Sequence, residues 1–253
     1  MNLRGLGFNA TCVFAFLYAP LLILIAFSFN ASRFTVWEGI SLRWYAAAMS
    51  DAQLSEGLVN SVIIAVVAAV VSTMIGTLAA YGIWRLRAPL LSGSLYMSLV
   101  TPEIVTGVSL LALFQWAFRF LHLRLGMLTV IIAHVAFSIA YVAIVISARL
   151  RNFDRSLEEA AMDLGASEWH AFTRVTLPAL APAIAAAGLL ALVVSFDDYV
   201  ITSLVAGVDS QTLPMVIYAM ARRGVSPVVN AVSAMIVVGF GIIILISRKL
   251  ERS

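Results

Sequence analysis

Three acidic residues stand inside otherwise apolar stretches of this sequence: Glu103, Asp197 and Asp198. A carboxylate at membrane depth is expensive, and by default it marks a cation or proton path. Glu103 follows Pro102, which supplies no amide and disrupts the helical bond to the carbonyl near Ser98. At three-and-four spacing Glu103, Thr106, Gly107 and Leu110 share one helical face. A carboxylate, a hydroxyl and a glycine on one face suit the lining of a cavity. The competing reading is a helix-packing site where Glu103 pairs with an arginine of another chain. Asp197 and Asp198 are adjacent and project about 100° apart on a helix. One of the two is therefore expected to face a path, roughly 25 Å of helix beyond the inner start of its span; otherwise both are solvated at an outer helix end. Phe196 and Tyr199 beside them offer aromatic faces for cation–π contact, or serve as interfacial packing.

Other chemistries find no support. His122, His134 and His170 lie far apart in sequence, with neither metal-ligand spacing nor the partners of a nucleophilic triad. Cys12 is the only cysteine, so neither an internal disulfide nor a CxxC site is possible. No Gly-x-x-x-x-Gly-Lys-[Ser/Thr] occurs, so the chain does not hold ATP in a P-loop. Energy for any active process must come from another subunit.

The elements that position the acids follow from composition. Of 253 residues, 62% are hydrophobic and 11% charged, and the mean hydropathy is +1.01. The apolar residues form long runs rather than one-face stripes, the pattern of a polytopic membrane protein. Six spans are expected: Phe8–Phe29, Leu58–Trp84, Leu91–Phe118, Met127–Ser147, Leu180–Ala206 and Ala231–Ile246. All must be helices, because backbone polar groups in lipid pair within their own segment. The first run exceeds a signal-peptide core and lacks a clear cleavage site, so it reads as a retained span.

The net charge is +3, and Lys249 is the only lysine. The basic residues sit in loops, without the aromatic-interleaved stripe of a nucleic-acid binder. With the N-terminus inside, the inner segments carry Arg4, Arg85, Arg87, Arg149, Arg151, Arg155, Arg174, Arg248, Lys249 and Arg252. The outer ones carry Arg33, Arg43, Arg119, Arg124, Arg222 and Arg223. Ten against six favours both termini inside. Trp37, Trp44 and Tyr45 in the first outer loop suit the headgroup interface. Arg222 and Arg223, in the last outer loop, are either solvated or available to acids on a docking protein.

The longest inner loop, about 148–179, is the most charged part of the chain. Ser156-Leu157-Glu158-Glu159 has the capping-box pattern. Gly165 fits a left-handed helix end, Ser167 can cap a second short helix with Trp169, Phe172 and Val175 on one face, and Pro178 is expected to end it. Ala160 and Ala161 would let another protein approach closely. The loop is either a docking surface or a cover for the ends of the bundle.

The stretch Glu159-Ala160-Ala161-x3-Gly165-x9-Val175-x-Leu177-Pro178 resembles the EAA loop of ABC importer permeases, with Val175 in place of the usual isoleucine. The resemblance continues in Phe16-Leu17-Tyr18-Ala19-Pro20, in Ser195-Phe196-Asp197-Asp198-Tyr199-Val200-Ile201-Thr202, in Thr212-Leu213-Pro214 and in Arg222-Arg223-Gly224-Val225-Ser226-Pro227. Together these resemble the spermidine/putrescine branch, in particular its second, C-type membrane subunit. The chain departs from that pattern at Val228-Val229-Asn230, which lacks an acid before the asparagine.

The resemblance implies an all-α integral membrane protein with the type I importer permease fold, one transmembrane domain over 1–253. It implies that Glu159, Ala160, Ala161 and Gly165 couple to an ATPase, and that polyamines pass the acids and aromatics named above. Implied partners are a second, homologous permease subunit, a homodimeric ATPase holding ATP and Mg, and a periplasmic polyamine-binding protein. The chain itself would be no enzyme and carry no cofactor, and would lie in the bacterial cytoplasmic membrane with both termini cytoplasmic. Three alternatives remain: a permease of the same family for another small cationic or organic solute, an ion-coupled secondary transporter, and a membrane scaffold. The secondary transporter would show discontinuous helices in matching halves, and the sequence offers one proline-broken span.

Overall fold

The structure, a computed structural model, describes residues 3–34, 36–121, 124–224 and 227–250. Of the residues singled out above, His122, Val225, Ser226 and Arg252 lie outside this set. In chain order the helices are α1 (Leu3–Ser28), α2 (Arg43–Ser50), α3 (Ala52–Leu86), α4 (Pro89–Val100), α5 (Glu103–Leu121), α6 (Met127–Leu150), α7 (Ser156–Asp163), α8 (Glu168–Ala171), α9 (Leu177–Asp197), α10 (Val200–Val205), α11 (Leu213–Arg222) and α12 (Pro227–Leu250). No strand occurs among the described residues; one isolated bridge pairs Asn30 with Ile40.

Among the described residues, four helical stretches are long and apolar enough to cross a membrane: Asn9–Ser28, Ala52–Leu86, Met127–Leu150 and Glu168–Asp197. The bent pair α4–α5 adds a fifth if counted as one span. The expected all-helical membrane fold is therefore observed, with four or five spans by these criteria against the six read from sequence. The sixth run falls in α12, whose described apolar part is Pro227–Gly239.

The chain divides into two compact units, Met1–Ser55 with Val216–Ser253, and Glu56–Met215. In the first, α12 packs on α1 and α2. Trp44 is not an interfacial anchor here. It is 8% exposed, its indole N–H donates to the Asn30 carbonyl at 2.8 Å, and the Arg43 guanidinium lies 4.3 Å from its ring. Asn30 is itself buried and accepts the amides of Ser32 and Glu38, so this loop builds a small core of its own. Trp37, half exposed, keeps the character expected of an interfacial aromatic.

In the second unit α6 and α9 form the central pair. Ala69, Ala80, Val142, Ala143, Ile146, Leu150, Leu180, Ala187 and Ala191 make one cluster. Small residues matter here because lipid tails are as apolar as leucine, so close backbone approach and dispersion hold such helices together. A second cluster, Ile64, Phe114, Val130, Ala133, Ile201 and Val205, packs α10 against α5 and α6.

Both predicted acid-bearing spans are discontinuous. α4 and α5 meet at 105° across Thr101–Pro102. Thr101 is extended (φ −67°, ψ 127°), the conformation that a following proline imposes sterically. The fifth span was expected to run unbroken from Leu180 to Ala206. Instead α9 stops at Asp197, Asp198 is extended (ψ 126°), and α10 starts afresh at Val200.

Two expectations for the polar loop fail. Ser156 makes no capping box; its amide donates to Asp154 Oδ1 at 3.0 Å, and Glu159 turns to Arg155 at 3.5 Å. That backbone N–H, followed by the Ser156 side chain, holds the Asp154 carboxyl below its usual range. Pro178 does not end the second short helix either. Glu168–Asp197 is one continuous helical stretch interrupted by a π-turn at Phe172–Thr176, where the Leu177 N–H bonds to the Phe172 carbonyl. A π-turn widens the helix immediately ahead of the proline, where an α-turn would press the ring on the carbonyl four residues back.

Candidate functional site

Each break in a span places acids on one cavity of about 370 Å³. Glu103 opens α5 and, with Thr106 one turn on, forms one wall. Asp197, Asp198 and Tyr199 come from the α9–α10 junction, and Phe137 and Tyr141 from α6 complete the lining. Four of the five pathway residues expected from sequence thus meet at one place: Glu103, Asp197, Asp198 and Tyr199. Phe196 is not part of the lining. Gly107 and Leu110 also leave the expected cavity face. Gly107 is buried against α10, where a methyl group would sit 2.6 Å from Leu204 Cδ1, and Leu110 packs on the second cluster. The bend at Pro102 turns this part of α5 toward α10.

The two adjacent aspartates differ sharply. The Asp198 side chain is 6% exposed and its Oδ2 accepts the Thr202 amide at 2.8 Å and hydroxyl at 2.7 Å. It thereby caps α10 and replaces the helical bonds lost at the break. His134 of α6, fully buried, stands 3.4 Å from the same oxygen. Its Nδ1 lies 2.7 Å from Ser195 Oγ on α9, and its Nε2 2.9 Å from Thr202 Oγ1 on α10. One imidazole therefore clamps both sides of the break. Asp197 is exposed, and neither it nor Glu103 has an ion-pair partner among the described residues. The arrangement leaves two carboxylates available to a cation and dedicates the third to structure.

In the sequence no ligand spacing surrounds His134. Its partners are 61 and 68 residues away, so only the fold brings them together. Replacing it with alanine strips hydrogen bonds from two hydroxyls and leaves Asp198 less compensated. His134→Ala is expected to destabilise the protein by about 2–4 kcal/mol. A melting curve of the detergent-solubilised protein checks this; an unchanged midpoint would show that the clamp carries no weight.

At the end of the same unit where α3 finishes and α6 gives way to α7, the polar loop forms a helical hairpin. α7 closes in a Schellman turn: Gly165 takes φ +92°, its N–H bonds to Met162 O at 2.9 Å, and Ala166 N–H to Ala161 O at 3.0 Å. Ser167 caps α8 as expected, accepting the His170 amide at 3.3 Å. Glu159 is 61% exposed, and Ala160 and Gly165 are also exposed. Ala161, Gly165 and Val175 border a groove of about 460 Å³ beside the fully presented Leu164. All four expected coupling residues are thus on one accessible feature.

Glu158, not singled out in the sequence, is 3% exposed and points inward. Tyr81 Oη donates to its Oε1 at 3.1 Å, and the Thr176 hydroxyl donates to the same oxygen. Arg85 Nη1 reaches Tyr81 Oη at 2.9 Å, and Arg85 also pairs with Glu168 at 2.7 Å. Arg222 and Arg223 are exposed at the end of α11, with the Arg222 guanidinium 5.3 Å from the Tyr218 ring.

A membrane-embedded helical chain with an acid-lined cavity at two helix breaks, and an exposed helical hairpin at one end, has the parts of a permease subunit worked from outside. Its family is that of binding-protein-dependent transport system inner membrane components, to which the chain belongs through residues 72–252. It is 44% identical over 237 residues to the putrescine transport system permease protein PotI of Escherichia coli (strain K12), covering 91% of this chain and 84% of that one. It is 38% identical over 254 residues to the spermidine/putrescine transport system permease protein PotC of the same strain, covering 99% and 94%. Its fold matches a chain of a bacterial ABC transporter involved in the import of the acidic polysaccharide alginate, with a TM-score of 0.69, 17% identity and coverage of 98% and 96%.

The chain is therefore a multi-pass inner membrane permease component, not a catalytic subunit. Membership implies in general terms a partner permease, an ATPase and a binding protein. A second discontinuous span, at Asp198, occurs here within this family's fold and so does not mark a secondary transporter.

Proposed function

We propose that the chain is one of two homologous but distinct permease subunits of an ATP-driven importer for polyamines of the putrescine and spermidine class. The observation that carries the reading is the acid-and-aromatic cavity in a chain so similar, over nearly its whole length, to permeases named for these substrates. A polyamine is a flexible apolar stem with two or more ammonium groups. Glu103 and Asp197 replace water around the charges, and Tyr199, with Phe196 nearby, offers aromatic surface for cation–π contact and the methylenes. Carboxylates with no ion-pair partner among the described residues favour a cation over an anion of similar size.

In this reading both termini are cytoplasmic, as the excess of basic residues on that side supports. Glu159, Ala160, Ala161 and Gly165 then face a homodimeric ATPase, which holds ATP and Mg; this chain holds neither. Arg222 and Arg223 face outward, where a periplasmic polyamine-binding protein docks. ATP-driven closure of the ATPase pair moves the two coupling hairpins together and opens the cavity outward, a rigid-body form of alternating access. Differential contact of the hairpin with the two ATPase states supplies the free energy.

Uptake of labelled putrescine and spermidine tests the proposal in cells lacking this chain but retaining its partner subunits and no redundant system. Deletion is expected to abolish uptake and the wild-type chain to restore it. Uptake indifferent to the deletion would sink the substrate assignment.

A further inference from the structure

The hairpin contains a buried charge that the docking role does not use. Glu158 precedes the exposed Glu159, yet its carboxylate is 3% exposed and accepts two hydroxyl donors. One donor, Tyr81, is on the last turns of α3. The other, Thr176, is the last residue of the π-turn that leads into α9. An uncompensated buried carboxylate is costly, so both donors are needed, and Arg85 supplies the balancing charge through Tyr81 at 2.9 Å. The π-turn is what makes this geometry available. Inserting one residue into the helix lets Phe172 pack on the Tyr81 ring, centroids 4.4 Å apart, while Thr176 still turns to Glu158.

We propose that Glu158 is a positioning residue that locks α7 to the ends of α3 and α9, so that a push on α7 is delivered to both spans together. α7 is eight residues long and connects onward through a glycine turn, so its covalent links alone are compliant. The carboxylate and its two hydroxyls turn it into part of the α3–α9 body. α9 ends at Asp197, in the cavity lining, so a line of transmission to the cavity runs along α9. The inference rests on the reading of α7 as the segment an ATPase moves.

The test uses the complete transporter, with its partner permease and ATPase, reconstituted in proteoliposomes with binding protein and labelled polyamine. Transport and ATP hydrolysis are measured together for Tyr81→Phe, Glu158→Gln and Glu159→Arg. Tyr81→Phe keeps the ring packed against Phe172 and removes only the hydroxyl. The lock predicts a complex that assembles in normal amount and hydrolyses ATP, but moves about tenfold less polyamine per ATP, the factor carried by one lost hydrogen bond to a charged group. Glu158→Gln is expected to behave alike, and the double variant to add little, since both cut one linkage. An unchanged transport-to-ATP ratio in both variants overturns the lock. So does failure of both to assemble, which would make Glu158 a folding residue. If Glu159→Arg leaves the ratio unchanged, the docking reading itself fails; if Glu159→Arg uncouples and Tyr81→Phe does not, only the lock fails.

Discussion

Glu159→Arg will leave the protein in the membrane and stop ATP-driven uptake. The carboxylate it replaces is 61% exposed, and its ion pair with Arg155, at 3.5 Å, is an exposed pair on a helix turn. Such pairs contribute about 0–1 kcal/mol, so the fold does not depend on it. What changes is the surface presented to another protein. A cation replaces an anion on an accessible feature that includes Ala160, Ala161 and Gly165, and it stands next to Arg155 in place of that residue's ion-pair partner. A central charge reversal at a docked surface costs about 3 kcal/mol or more, which is on the order of a hundredfold in coupling. Uptake in cells, with the membrane level of the chain followed by immunoblot, gives the answer. Normal uptake at normal level would remove the hairpin from the mechanism.

The acids of the cavity should divide into two kinds. Glu103→Gln and Asp197→Asn preserve shape and remove charge from two carboxylates that no ion pair holds among the described residues. At about 4 Å and an effective dielectric near 20, a carboxylate–ammonium contact is worth roughly 4 kcal/mol before desolvation. Desolvation and side-chain ordering cancel much of it, leaving a loss of about tenfold for each variant and more for the pair. Protein level should stay normal. Asp198→Asn should do the reverse, lowering the level or the melting temperature, because its carboxylate caps α10 and faces His134. Uptake by the Glu103→Gln, Asp197→Asn double variant equal to wild type would take the cation path away from this cavity.

Much of this architecture is legible in the sequence because the membrane restricts what backbone can do. Long apolar runs must be helices, so α1, α3, α6 and the apolar part of α9 fall where hydropathy places them. Gly165 and Ser167 act as their local chemistry predicts, since a left-handed turn and an N-cap are decided within a few residues. The cavity acids were visible for a related reason: a carboxylate inside an apolar run needs an explanation.

The capping box lost to two neighbours: Asp154 takes the Ser156 amide and Arg155 takes the Glu159 carboxylate. What stayed hidden depended on partners distant in sequence: the inward turn of Glu158 was decided by Tyr81 and Thr176, respectively 77 and 18 residues away. The break at Asp198 had a local sign, an aspartate four residues before the threonine whose amide it accepts. The sign is ambiguous, because the same residues continue a helix unless something else holds the break. His134 holds it.

The sequence by itself determined the class of this protein, the positions of its main helices, the exposed hairpin and the existence of charge inside the apolar layer. These follow from the solvent and from short-range backbone chemistry. Tertiary structure decided which acid is free and which is structural, that Glu103 and Asp197 share one cavity, and that Glu158 faces inward. Each of those is settled by a hydrogen bond or a bend that joins separate helices, and a buried polar group takes whichever partner the packing brings within about 3 Å.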